Sequence, residues 1–257
     1  MDVVRRGQRL QITAFTHRAY DLGRRREFEK YAATTSYGSS EYEKRYPESW
    51  TLIYYQGGGA MMQIEEHFQE FPVLETARTR LRKISYADQE DMYSYCRSPI
   101  VSRYTVWDTH QSLEDTKAFI EFVLNRYDIQ KVGPWGIEHK QEKKLIGSCS
   151  FVSWDNRNKR AELGYVLSNK YWNQGYMTEV IRRVLEFGFN ELGLVRIEAR
   201  CHVDNIGSAR VMEKTGMRFE GILRRHIWAK GAFQDVKLYS IIKDEFASEL
   251  EEGPAIS

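Results

Sequence analysis

The chain predicts an α/β domain of the α+β kind, with a mixed, mostly antiparallel central sheet flanked by helices. Three observations lead there. From Leu81 onward, apolar runs of strand length succeed one another, and helical patterns lie between some of them. Some neighbouring strands are joined by short charged turns, which makes antiparallel hairpins, while others are joined through a helix, which makes crossovers. Hydrophobic residues make up 42% of the 257 positions, enough to fill a core.

Leu81–Ile84 is the first predicted strand of the regular part. Tyr86–Cys96 follows as a helix, with Ser85 at its N-cap and Asp88 as the acidic partner of a capping box. Ser112–Tyr127 is a longer helix, because Leu113, Thr116, Ile120 and Val123/Leu124 recur at helical spacing behind an acidic first turn. Pro134–Glu138 and Leu145–Val152 are adjacent strands around the charged turn Lys140–Lys144. Ala161–Leu167 alternates, with Ala161, Leu163, Tyr165 and Leu167 on one face and Glu162, Gly164 and Val166 on the other. Thr178–Asn190 is a helix with Val180, Ile181, Val184, Leu185 and Phe189 on one stripe. Val195–Cys201 is a strand, and Ile206–Thr215 is a helix that Gly216 ends. Phe219–Trp228 and Val236–Ile242 are the last strands.

The first seventy residues lack this regularity. Leu22–Ala33 and Thr51–Tyr55 could form a helix and a strand, but neither has an evident partner, and Gly57-Gly58-Gly59 interrupts the chain. The expected organisation is therefore an N-terminal extension over 1–70, one domain over 71–247 and a tail over 248–257. The first sixty residues hold ten Lys/Arg against seven Asp/Glu, so they carry the basic excess of a chain whose net charge is only +2. A glycine run just before Met61-Met62 is also what a purine-rich ribosome-binding site would encode if translated, so the natural start is expected at Met61 or Met62 and the residues before it are expected to be dispensable. The rival readings are an appendage docked through Trp50, Ile53 and Tyr54, or a basic arm for RNA or a protein.

Composition excludes several classes. No apolar run reaches the ~18 residues of a membrane-spanning helix. No apolar h-region follows the start, and three cysteines without CxxC spacing fit neither a disulfide framework nor a structural zinc site. A cytoplasmic protein without a metal, and without direct contact to nucleic acid or membrane, is expected.

Chemistry concentrates in Leu163–Leu167 and the following Tyr171-Trp172-Asn173-Gln174-Gly175-Tyr176-Met177-Thr178-Glu179. This is a strand, a glycine-containing loop and a helix start. The unpaired N–H groups and dipole of such a helix start suit an anion such as a phosphate. Gly175 lets the backbone approach the anion, and Gly164 inside a strand signals a bulge or a close approach. The plainer alternative is an ordinary turn.

These segments, with Asn205–Met217 downstream, resemble the GNAT family of acetyl-CoA-dependent N-acetyltransferases, and most closely its RimJ/RimL-like branch. The resemblance runs from about Glu75 to about Ile241. It implies a splayed strand pair that binds acetyl-CoA. The pyrophosphate would lie on the amides of Asn173, Gln174, Gly175, Tyr176, Met177 and Thr178. The pantetheine arm would pair with Tyr165, Val166 and Leu167, and Asn205 would lie near the thioester. Met177 is bulkier than the usual Gly or Ala and is expected to crowd the loop.

For catalysis, the resemblance places Glu162 where related enzymes can carry a base, and Ser208 near the sulfur as a general acid. The residues leave alternatives open: a salt-bridge partner for Glu162, a helix cap for Ser208, and Tyr165 or Tyr176 as the acid. A backbone N–H near Val166 or Leu167 would serve the oxyanion. The expected partners are acetyl-CoA and an amine acceptor, such as the N-terminus of a ribosomal protein or a small-molecule amine, handled by a monomer or homodimer. A GNAT-fold module that binds acetyl-CoA without catalysis is the competing reading.

Overall fold

A computed structural model describes residues 63–129 and 132–252. The expectations placed on residues 1–60, including the Leu22–Ala33 helix and the Thr51–Tyr55 strand, lie outside the described residues. Among the described residues, the strands are β1 (Leu74–Glu75), β2 (Thr79–Lys83), β3 (Trp135–His139), β4 (Lys144–Asp155), β5 (Arg160–Leu167), β6 (Arg196–His202), β7 (Arg218–Ala229) and β8 (Ala232–Ile242). They form one open sheet in the order β1-β2-β3-β4-β5-β6-β8-β7. The β5–β6 pair is parallel and the other pairs are antiparallel, so the sheet is mixed and mostly antiparallel.

The helices are α1 (Gln89–Cys96), α2 (Pro99–Ser102), α3 (Leu113–Ile129), α4 (Tyr176–Asn190), α5 (Ile206–Lys214) and α6 (Lys243–Glu252). α4 is the crossover between the two parallel strands, the connection that parallel pairing requires. Its Val180, Ile181, Val184 and Leu185 are fully buried. They join Leu163, Ile197, Ala199 and Ile241 of the sheet in one core. α1 and α3 cover the first half of the opposite face, where Ile84, Met92, Tyr95, Ile120, Val123 and Tyr127 pack as a second core.

A 3-10 turn (Ile64–Phe68) precedes β1. Phe68 packs on Trp135 at 5.4 Å and on Phe187 at 6.0 Å between ring centroids. Glu65 accepts hydrogen bonds from Trp154 (2.7 Å) and Asn156 (3.2 Å) at the end of β4. A division at residue 70 therefore falls between this buried turn and β1. At the other end, α6 runs across residue 248, with Phe246 packed on Phe189 at 5.2 Å.

The capping signal at Ser85 opens a 3-10 turn (Tyr86–Asp88) that leads into α1. The Ser85 N–H donates to Asp88 at 2.8 Å, and the fork of Arg82 holds the same carboxylate at 2.7 and 2.9 Å. No helix among the described residues is long and apolar enough to cross a membrane.

Candidate active site

The parallel pair β5–β6 opens along its length. Pairing runs from Arg160↔Arg196 to Leu163↔Ala199 and stops there. β5 nevertheless stays on β4 as far as Leu167↔Gly147, and β6 stays on β8 as far as His202↔Val236. Each strand is thus held on its outer side while the inner sides diverge. A bulge in β4 between Phe151 and Ser153 accompanies the divergence. Gly164 pairs with Ser150 just before this bulge, and a Cβ there would come within 2.8 Å of the side chain of the bulged Val152. The bulge is therefore the physical reason for the glycine inside the strand.

The Ser168 N–H donates to Ile146 at 2.7 Å, which sets the ladder phase. By alternation, Val166 bonds to β4, while the backbone groups of Tyr165 and Leu167 face the opening. The Leu167 carbonyl is occupied, because the Trp172 indole N–H donates to it at 2.8 Å. The Tyr165 N–H and C=O and the Leu167 N–H thus line the opening. Val166 turns its side chain to the second core.

The loop after β5 leads into α4. Asn173 (φ 59°) and Gly175 (φ 80°) both take the left-handed conformation. Gly175 is the N-cap, and the first helical bond runs from the Glu179 N–H to its carbonyl at 3.0 Å. The N–H groups of Tyr176, Met177 and Thr178 precede that bond and point out of the helix end. The Met177 side chain points the other way, into the core, and is 5% exposed. The expectation that it crowds the loop is corrected: it is the floor of the loop. Gln174 donates its side-chain amide to the Lys170 carbonyl at 2.8 Å. The Tyr176 hydroxyl is hydrogen-bonded to the His139 ring at 2.9 Å.

α5 starts at the mouth of the opening. Asn205 caps it by accepting from the Ser208 N–H at 3.1 Å. The Ser208 hydroxyl meets the Tyr165 hydroxyl at 2.9 Å. Burial pushes the Tyr165 phenol well above its ordinary value, so it keeps its proton. Ser208 and Tyr165, two of the three acid candidates, are thus one hydrogen-bonded pair.

Glu162 lies on the opposite face of β5, beside the last paired residue. Arg200 grips both its oxygens, donating through Nε at 2.8 Å and through Nη2, and Ser153 adds a bond at 3.3 Å. His226 contacts the same guanidinium from the β7 bulge. Nearby, the His202 ring stacks on Tyr104 at 5.1 Å between centroids and bonds to Gln234 at 3.0 Å. This face is polar and reachable from solvent, unlike the α4 face.

Sequence reasoning missed Arg78, whose only signal was its place in the segment Glu75–Arg82, and the capping role of Trp172. Cys149 and Cys201 are buried, and burial pushes the Cys201 thiol up to about 11. No cluster of metal-ligating residues occurs among the described residues.

Comparison with known proteins agrees with this geometry. The family described as Acetyltransferase (GNAT) domain matches residues 78–218. The Bacillus subtilis protein named uncharacterized N-acetyltransferase YoaA is 36% identical over 173 residues, which cover 67% of this chain and 98% of that protein. A GNAT-family acetyltransferase structure from Bacillus anthracis superposes with a TM-score of 0.60 at 29% identity, covering 67% of this chain and 99% of that one. The Escherichia coli ribosomal-protein-serine acetyltransferase is 33% identical over 104 residues, which cover 40% of this chain and 58% of that protein. An opened parallel strand pair beside a glycine-capped helix start is the geometry expected for acetyl-CoA, and with the match over more than half of its length the chain belongs to the GNAT acetyltransferase family.

Proposed function

We propose that this acetyltransferase modifies the α-amine of a polypeptide N-terminus, with a ribosomal protein as the class of partner. The observation that carries the reading is the double grip of Arg200 on Glu162. A carboxylate so engaged is fixed in position, with both oxygens already partnered, and reaches an acceptor amine through a bridging water. Near pH 7.5 about a third of α-amines are already unprotonated, against roughly 0.1% of lysine side chains. A carboxylate with both oxygens engaged suits an acceptor that is already partly neutral far better than one that must first give up its proton. The similarity to the Escherichia coli ribosomal-protein-serine acetyltransferase supports the same class.

Each residue then has a task. The N–H groups of Gly175, Tyr176, Met177 and Thr178 hold the diphosphate at the positive end of α4. The Tyr165 backbone groups extend β5 by pairing with the pantetheine amides. Acetyl-CoA supplies an acetyl group activated as a thioester. The Leu167 N–H faces the opening, where a donor can stabilise charge gathering on the acetyl oxygen. Ser208, backed by the protonated Tyr165, gives a proton to the departing sulfur. Asn205 keeps Ser208 in place through the helix cap. Thiols are good leaving groups, with an ordinary pKa near ~8.5, so this proton contributes modestly.

The test is mass detection of products from acetyl-CoA with a panel of acceptors. The panel holds peptides starting with Ser or Ala, N-blocked peptides with an internal Lys, a polyamine and an aminoglycoside. The expected result is a single acetyl group on the α-amine of the Ser and Ala peptides. Acetylation confined to lysine, the polyamine or the aminoglycoside would overturn the proposed acceptor.

A further inference from the structure

Arg78 lies in the turn between β1 and β2, about a hundred positions from the loop that precedes α4, yet it touches that loop at every level. Its Nη1 donates to the Gln174 carbonyl at 2.9 Å. Its Nε donates to Glu179 at 2.7 Å, and its own backbone N–H donates to the other oxygen of Glu179 at 2.8 Å. Its guanidinium lies over the Tyr176 ring, 4.0 Å from the centroid. A Cβ built on Gly175 would meet Arg78 Nη2 first, at 3.4 Å. One side chain therefore binds the residue before the cap, flanks the cap, stacks on the first helical residue and pairs with the fourth.

The chemistry of this arrangement is specific. Glu179 sits in the first turn of α4, where an anionic side chain would compete with a bound diphosphate for the same positive helix end. Arg78 neutralises it and points it back at the β1–β2 turn. The planar fork also holds the Gln174 carbonyl away from the neighbouring N–H groups, which a lone ammonium would do less well. With Asn173 and Gly175 both left-handed, the loop needs such an external clamp to keep its amides convergent.

We propose that Arg78 is a positioning residue for the acetyl-CoA diphosphate, acting through Gln174, Gly175 and Glu179 to hold the loop amides in binding geometry. The inference rests on the loop being the diphosphate site and adds the residue that shapes it. Arg78 belongs to neither core, and its side chain is 42% exposed. Its contribution is therefore directed at the loop and not at the fold.

The experiment compares two donors, acetyl-CoA and acetyl-pantetheine, which lacks the diphosphate, in the wild-type protein, Arg78→Ala and Arg78→Lys. The readout is the ratio of kcat/KM for the first donor to that for the second. Loss of charge-assisted bonds at the loop is expected to lower this ratio about tenfold in Arg78→Ala, through KM for acetyl-CoA. Arg78→Lys should recover part of the loss. A melting curve close to wild type should accompany both variants. A general structural defect would instead depress both donors equally, leave the ratio unchanged and overturn the proposal. If the wild-type protein used both donors equally well, the diphosphate reading of the loop would itself fail.

Discussion

Replacing Gly175 by valine tests the loop with a magnitude set by the backbone. Gly175 caps α4 at φ 80°. An L-residue in the left-handed region costs about 1–2 kcal/mol, and a β-branched one lies at or above the upper end of that range. The added Cβ would stand 3.4 Å from the Arg78 guanidinium, so the two methyl groups must displace it or bend the loop. The loop is exposed and free to relax, whereas the core beneath it, with Met177 and Val180, is not. The strain is therefore expected to open the loop and appear as lost affinity. A cost of about 2 kcal/mol corresponds to roughly 30-fold in Kd. Titration calorimetry with acetyl-CoA reads this directly, and a thermal melt checks the fold. A folded Gly175→Val protein that binds acetyl-CoA within twofold of wild type would show that this loop does not hold the diphosphate.

Three further outcomes follow from the same geometry. Glu162→Gln should lower turnover most at low pH, where more of the acceptor is protonated, by up to about 10²-fold, the lower end for a general base, with acetyl-CoA binding intact; turnover equal to wild type across pH would leave Glu162 as only the partner of Arg200. Met177→Ala should open a cavity under the loop, lower stability by about 2–5 kcal/mol and weaken acetyl-CoA binding, both read by melting and calorimetry; tighter binding would mean that the methionine does crowd the ligand. A chain starting at Met62 retains Ile64 and Phe68, which are 3% and 2% exposed, and should keep the melting temperature and turnover of the full chain; a large fall in either would make the first sixty residues part of the working molecule.

The regular elements were legible because each follows its own periodicity. α4 and β6 carry unbroken helical and alternating patterns, and both occur as expected apart from one or two residues at their ends. β1 has only two residues and α2 only four, too short for any period to show. Among the described side chains of α6, Phe246 is deeply buried, and acidic residues surround it along the chain, so the sequence looks like a solvated tail. Within the site, the glycine-capped loop and the Asn205 cap are local features, and short-range chemistry points to them. What reasoning along the chain could not supply is the set of contacts across it. Arg78 on Glu179, Trp172 on the Leu167 carbonyl and Arg200 on Glu162 are choices of partner made by the folded sheet. Such choices decide how a candidate base or loop behaves. The bulk of Met177 was likewise visible, but the direction of its side chain was not.

The proposed place of acetyl-CoA is the β5–β6 opening, with its diphosphate on the start of α4. Backbone hydrogen exchange, measured with and without acetyl-CoA, tests it most directly. Slowed exchange is expected at the amides of Tyr165 and Leu167, beyond the end of the β5–β6 pairing, and at Gly175 through Thr178, ahead of the first helical bond of α4. Little change is expected at Val166, whose amide already belongs to the β4 ladder. Protection confined to other parts of the chain, with Tyr165, Leu167 and the α4 start exchanging as fast as before, would contradict it.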